Sequence, residues 1–364
     1  MKITQIGLID RLFLLGPPGI GKTEIIKQKA IAESQKMQRR FVDLREADDK
    51  TIDEIFSGPE KFYVFYRIIA PHVFPEDLSL PKHNFDGKDF VEFVPPKVLR
   101  VLSLQKITGV LFIDELTNVQ RDDQLSMFYS LIQEKEAGWI LKINKDIKVV
   151  IASNDPEWSE IARVLPQPLR SRLTFTIVSP PSVDEWGAYM NTTYNDDWEK
   201  LTYAYLKLYP DDFLRKPEDD WSNFPTPRNW TELALILKQL DKSDGEFIEE
   251  VVIGRLGKEV GIKFLSLLRT NIDIERALLE ISATPEAFDA LNINAKILVL
   301  EALAQKSVDD LKPFEKFFEF LASKDREMLT ILIILMDKTK RASFISTFYK
   351  SVQKLIKTIA PYIT

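Results

Sequence analysis

The first half of the chain alternates short apolar runs with stretches whose apolar residues recur at helical spacing. The runs fall at residues 12–15, 41–44, 110–113, 149–154 and 173–178, and each gives way to glycine, proline or polar residues. Short, nearly continuous apolar runs fit strands buried on both faces of a parallel sheet. Between them, a helix opens near Lys22, a shorter one spans 51–57, and Asp122 and Asp123 precede Leu125, Phe128, Leu131 and Ile132 at helical spacing. Beyond residue 180 the strand pattern stops. Pro227 opens a helix with Leu233, Ile236 and Leu237 on one face, further amphipathic helices are predicted at 293–303 and 345–359, and the apolar run 329–336 reads as a buried helix. The pattern predicts an α/β fold with a parallel sheet at 1–180, a helical region at 181–270 and a further helical region at 271–364.

Composition narrows the class. The 364 residues are 45% hydrophobic and 29% charged, as in a globular protein, and the length suits two or three domains. No run approaches the ~20 apolar residues of a membrane span. A net charge of −6 argues against a protein that coats duplex DNA, though not against a local basic channel. There is no cysteine, so disulfides and thiolate metal sites are excluded and a reducing compartment fits. The two histidines, His72 and His83, are too few for a His-rich metal site.

The first apolar run feeds directly into Gly16-Pro17-Pro18-Gly19-Ile20-Gly21-Lys22-Thr23, which fits G-x-x-x-x-G-K-[ST]. Glycines let successive N–H groups turn inward around an anion, and the helix that follows adds the positive end of its dipole. Pro17 and Pro18 stiffen the loop. Lys22 can reach the β- and γ-phosphates of a nucleotide, and the Thr23 hydroxyl can bind Mg²⁺. The third run, "GVLFIDELTN" at 109–118, ends in Asp114 and Glu115. An acid at the carboxyl end of a parallel strand lies where such sheets bind ligands. Asp114 suits the metal shell opposite Thr23, and Glu115 suits orientation and activation of an attacking water. Gly/Pro turns and strand-end acids also occur without function; here each supports the other.

The order of these motifs resembles an AAA+ ATPase. The resemblance spans about 12–270 and implies further roles. Asn154, ending "VVIASN", matches the polar residue that touches the γ-phosphate or attacking water. Within "LPQPLRSRLTFTIVSPP", Arg172, with Arg170 as the alternative, matches the arginine sent into a neighbouring subunit's site. Arg228, at the start of the helix following "FPTP", matches a lid sensor acting in cis or in trans. A cation in the first helical turn opposes the dipole, so Arg228 is expected to have an anionic partner. The phrases "FVPPKVLRVL…GVLFIDEL" and "SPPSVDEW" resemble the MoxR-type branch. In that branch an insertion facing the pore or partner lies where this chain has its aromatic stretch 58–108, whose "YVFYRII" and "DFVEFV" are expected to pair as a hairpin. Plain packing under a long loop is the alternative for those aromatics. About ten residues precede the first strand, where AAA+ proteins usually carry a cover for the adenine, so ATP over GTP rests on resemblance.

Residues 138–150 are expected to hold a short strand or hairpin, Gly254, Gly257 and Gly261 to let helices approach closely, and 282–286 to mark a break. The resemblance implies a Mg²⁺-dependent cytoplasmic ATPase with ATP as cofactor. It would work as a homo-oligomeric ring, a hexamer, that remodels a protein partner bearing a von Willebrand A-type domain. The rival readings are a nucleic-acid motor or loader on the same fold, and a nucleotide-binding switch that hydrolyses poorly.

Overall fold

The computed structural model describes residues 1–83, 91–137, 141–159, 162–217, 222–241 and 244–353. The chain divides into two compact units, Met1–Pro180 and Pro181–Thr364.

The first unit is built on a six-stranded sheet. Its strands are β1 (Leu12–Gly16), β2 (Arg40–Asp43), β3 (Phe62–Ile69), β6 (Thr108–Asp114), β9 (Ile147–Asn154) and β10 (Thr174–Ile177). They lie in the order β10-β1-β9-β6-β3-β2, every pairing parallel. Helices α1 (Lys22–Lys36), α2 (Asp49–Ser57), α3 (Lys97–Val101), α4 (Asp122–Gln133) and α5 (Gln167–Arg170) complete the unit. The inner strands are buried on both faces, with Leu14, Val64, Val110–Ile113 and Val149–Ala152 each 0% exposed, as nearly continuous apolar strands require, whereas the edge strand β10 leaves Phe175 and Ile177 exposed. The chain leaves β1 for the far edge, returns through β3, β6 and β9, and places β10 on the other side of β1. The reversal puts a ligand crevice beside the carboxyl end of β1.

Two small antiparallel pairs decorate this core: β4 (Leu80–His83) with β5 (Val91–Val94), and β7 (Glu136–Ala137) with β8 (Leu141–Lys142). The first pair corrects an expectation. "YVFYRII" is not a hairpin arm but β3, a central strand between β2 and β6, and β4 takes its place opposite β5. The physical reason lies in its burial: Phe62, Tyr63, Val64 and Phe65 are at most 5% exposed, a two-sided burial that a surface hairpin cannot supply. Asp89 and Phe90 of "DFVEFV" lie outside the described residues, as do 138–140 before β8.

The second unit is helical: α6 (Val183–Tyr194), α7 (Leu201–Leu208), α8 (Pro227–Gln239), α9 (Gly245–Leu256), α10 (Lys258–Leu268), α11 (Ile274–Ala283), α12 (Ile293–Gln305), α13 (Glu315–Lys324), α14 (Arg326–Leu335), α15 (Lys338–Thr347) and α16 (Tyr349–Val352). A capping box starts it, the Ser182 hydroxyl accepting from Glu185 N and the Glu185 carboxylate accepting from Ser182 N. One continuous core runs from Trp186 and Trp198 through Trp230 and Phe264 to Phe318, Phe344 and Phe348. Residues 282–286 end α11 and begin a 3-10 turn, with Ala283, Thr284 and Glu286 exposed, while Ile281 and Phe288 on either side belong to that core. Gly257 separates α9 from α10, and at Gly261 a Cβ would lie 3.0 Å from Ile253 Cα, whereas one at Gly254 would meet nothing within 4 Å. The helix expected over 345–359 breaks at Phe348, and 354–359 lie outside the described residues. Met328–Ile334 are all buried within α14, and no helix among the described residues is long and apolar enough to cross a membrane.

Two cations close the carboxyl end of α14. Lys200 Nζ donates to Met336 O at 2.8 Å and to Asp196 Oδ1 at 2.6 Å, while Arg341, 1% exposed, donates to Met336 O and Ile334 O, each at 2.9 Å. Helix-end carbonyls favour such partners. Burial nevertheless pushes the Lys200 ammonium down to about 8, against the opposing pull of Asp196. The unfolded chain therefore holds a proton between pH 8 and 10 that the folded chain has shed. This contribution to stability is lost as pH falls through 8 and grows as pH rises toward the unfolded value. Wild type should gain on the order of 2 kcal/mol over that window relative to Lys200→Met, read by urea unfolding followed through tryptophan fluorescence. Parallel pH curves for the two proteins would sink this assignment. Above pH 10 the buried Tyr63 and Tyr205, whose hydroxyls burial pushes upward, add an opposing slope.

Candidate nucleotide site

Three strand ends build the site. β1 delivers the loop 16–21, β6 delivers Asp114, and β9 delivers Asn154, which stands opposite Gly16 in the register. A Cβ at Gly16 would lie 2.5 Å from Val178 O, so only glycine fits there. Gly21 caps α1 with φ of +90°, a left-handed turn open to glycine, and offers no side chain to close the helix. The amino end of α1 therefore opens onto the loop, a ready anion site by its N–H groups and dipole.

Lys22 is only 8% exposed. Its Nζ donates to Gly16 O at 2.9 Å, to Pro17 O at 2.7 Å and to Asn154 Oδ1 at 2.9 Å. The loop, the lysine and Asn154 are thus one hydrogen-bonded unit. One residue on, Thr23 Oγ1 donates to Asp114 Oδ2 at 3.0 Å. A hydroxyl and a carboxylate oxygen side by side are hard donors, the kind Mg²⁺ takes. Among the described residues no group of three or more His, Cys, Asp or Glu could hold a metal. The pair therefore suits an ion that draws the rest of its shell from phosphate oxygens and water, as Mg²⁺ does.

Glu115 has φ of 60° and ψ of 34°, a left-handed backbone that costs roughly 1–2 kcal/mol for a residue with a Cβ. Its N–H holds it there, donating to Ala152 O at 2.8 Å and to Asp114 Oδ1 at 3.1 Å. The turn ends the strand's side-to-side alternation immediately after Asp114, and the half-buried Glu115 carboxylate is met by Asn118 Nδ2 at 3.5 Å. Strain of this kind gathers at functional sites.

Arg67 was not singled out in the sequence, yet it enters the centre. Its Nη2 and Nε lie 2.7 and 3.1 Å from Asp114 Oδ2. The signal was a lone charge inside "YVFYRII", since a cation in a buried strand requires a partner.

The remaining arginines stand apart from this cluster. Arg170 ends α5 and is exposed; Arg172 is exposed and donates to Pro168 O at 2.9 Å. Neither bonds to Lys22, Thr23, Asp114, Glu115 or Asn154. Arg228, in the second unit, is exposed in the first turn of α8, whose cap is the Thr226 hydroxyl accepting from Asn229 N. The anionic partner expected for Arg228 is not found among the described residues.

Residues 12–181 match the model of the ATPase family associated with various cellular activities (AAA). The match covers almost all of the first unit, which is similar to this family and has its P-loop α/β fold. No curated protein matches the chain. Matching solved structures include NtrX from Brucella abortus, with 14% identity and a TM-score of 0.34 over 96% of this chain and 66% of that one. They also include Hsp104 in a closed state with ATPγS and FITC-casein, with 12% identity and a TM-score of 0.34 over 86% of this chain and 48% of that one. The chain thus spans less than two thirds of the length of either.

Proposed function

We propose that the chain is an ATP-hydrolysing AAA+ motor of the MoxR type that works as a ring, a hexamer, and remodels a protein partner in the cytoplasm. The observation that carries this reading is the meeting of Lys22, Thr23, Asp114 and Asn154 at three adjacent strand ends. In it, the loop amides of Gly16 to Gly21 and the amino end of α1 hold the triphosphate. Lys22 places its ammonium against the β- and γ-phosphates, and Asn154 holds the γ-phosphate or the water beside it. Mg²⁺, held at Thr23 and Asp114, supplies charge neutralisation of the triphosphate. Glu115 orients a water and takes its proton as the oxygen attacks the γ-phosphorus. The bond from that phosphorus to the β–γ bridging oxygen breaks, and ADP and phosphate leave.

The exposed arginines support completion of the site by a second copy. Arg172, with Arg170 as the alternative, supplies positive charge to a neighbour's γ-phosphate, a contribution worth roughly 10³–10⁵ in rate. Arg228 takes a nucleotide phosphate as a lid sensor, in cis or in trans. A partner with a von Willebrand A-type domain is the substrate class that the resemblance favours.

Subunit mixing tests the ring. Arg172→Ala should turn ATP over at least about a hundredfold more slowly than wild type, and wild-type specific activity should climb with protein concentration. Arg172→Ala keeps its own Glu115, while Glu115→Gln keeps its arginine. Mixing the two dead proteins should therefore restore turnover at their shared interfaces. No recovery, together with activity independent of concentration, would reject a site built in trans. Recovery with Arg170→Ala but not Arg172→Ala would move the role to Arg170. Strong stimulation by DNA would favour the nucleic-acid motor instead.

A further inference from the structure

Arg67 stands opposite Phe112 in the β3–β6 register, and Ile69 stands opposite Asp114. Arg67 and Asp114 are therefore diagonal neighbours on one face, within reach of a long side chain. Both Arg67 donors converge on Asp114 Oδ2, at 2.7 and 3.1 Å, and the Thr23 hydroxyl reaches the same oxygen at 3.0 Å. The other oxygen, Oδ1, accepts from Glu115 N at 3.1 Å. Three donors on Oδ2 fill its acceptor capacity, and one of the groups supplying them is a full positive charge.

We propose that Arg67 competes with the divalent cation for Asp114, so that this guanidinium sets the metal concentration at which the nucleotide site loads. The proposal rests on the triphosphate site described above. Oδ2 cannot serve a metal or its water shell while it accepts three hydrogen bonds. A guanidinium beside the carboxylate also repels a second cation there. Arg67 further contributes positive charge near the triphosphate. Removing it has two effects of opposite sign: the metal requirement falls, and affinity for the nucleotide without metal also falls. An arginine that merely braces β3 against β6 would not separate the two.

The test follows a fluorescent ATP analogue by anisotropy on the full chain, first in EDTA and then as free Mg²⁺ is raised. In Arg67→Gln the Mg²⁺ concentration for half-maximal binding should fall about tenfold, while affinity in EDTA should drop severalfold. Arg67→Lys keeps the charge and the stem but loses the fork, so its midpoint should fall by less. If Arg67→Gln does not fold, Arg67→Lys decides: a lower midpoint supports competition, and an unchanged or higher one overturns it. A midpoint in Arg67→Gln at or above the wild-type value overturns the proposal alone. Failure of wild type to bind the analogue at any Mg²⁺ concentration overturns the triphosphate site and this assignment with it.

Discussion

Glu115→Gln should bind ATP as tightly as wild type and turn it over roughly a thousandfold more slowly. The substitution keeps the shape of the side chain, so the oxygen that meets Asn118 remains and the left-handed backbone is unchanged. That backbone is fixed by the Glu115 N–H bonds to Ala152 O and Asp114 Oδ1, neither of which involves the altered group. What disappears is a base able to accept the proton of water. Because the Glu115 carboxylate is met by Asn118, while Lys22 and Thr23 bond to the loop, Asn154 and Asp114, its loss falls on the chemical step rather than on the triphosphate cradle. Comparing single-turnover hydrolysis with equilibrium ATP binding separates the two quantities. Wild-type turnover by the variant would remove Glu115 from its role.

Lys22→Ala should lose ATP affinity by a hundredfold or more, about 3 kcal/mol, and turnover should become undetectable with it. Two effects combine. The ammonium that pairs with phosphate oxygens is gone, and the carbonyls of Gly16 and Pro17 and the amide of Asn154 lose the donor that organises them. The second effect reaches beyond charge, because Asn154 is oriented in the structure by Lys22. The core of the sheet is untouched, so circular dichroism and the thermal midpoint should stay close to wild type while filter binding of labelled ATP fails. Binding at the wild-type level would show that the loop holds no triphosphate.

The loop and the acid strand were legible because their chemistry is local: glycines, a lysine and a hydroxyl in eight consecutive residues, and carboxylates directly after an apolar run. Asn154 was legible only through family resemblance, since nothing in "SNDP" alone separates a sensor from a turn. Its bond to Lys22 is set by the pairing of β1 with β9 across more than a hundred residues, which no local pattern encodes. β3 was misread for a related reason. "YVFYRII" carries strand residues, but whether they pair in the main sheet or in a surface hairpin depends on which strand lies beside them, and β6 arrives 39 residues after Ile69 with Thr108. Arg67 was overlooked with it, because its partner became visible only once β3 lay beside β6. The helical unit could be read as helices at 293–303 and 329–336, yet its single core, with Lys200 and Arg341 meeting at the end of α14, joins residues far apart in sequence.

The most direct measurement is calorimetric titration of the full chain with ATP, in Mg²⁺ and in EDTA. Saturable binding near one nucleotide per chain, strengthened by Mg²⁺ and absent from Lys22→Ala, is the result expected of a triphosphate site at Gly16 to Thr23. No saturable heat from folded wild type in Mg²⁺, or the same heat from Lys22→Ala, would contradict it.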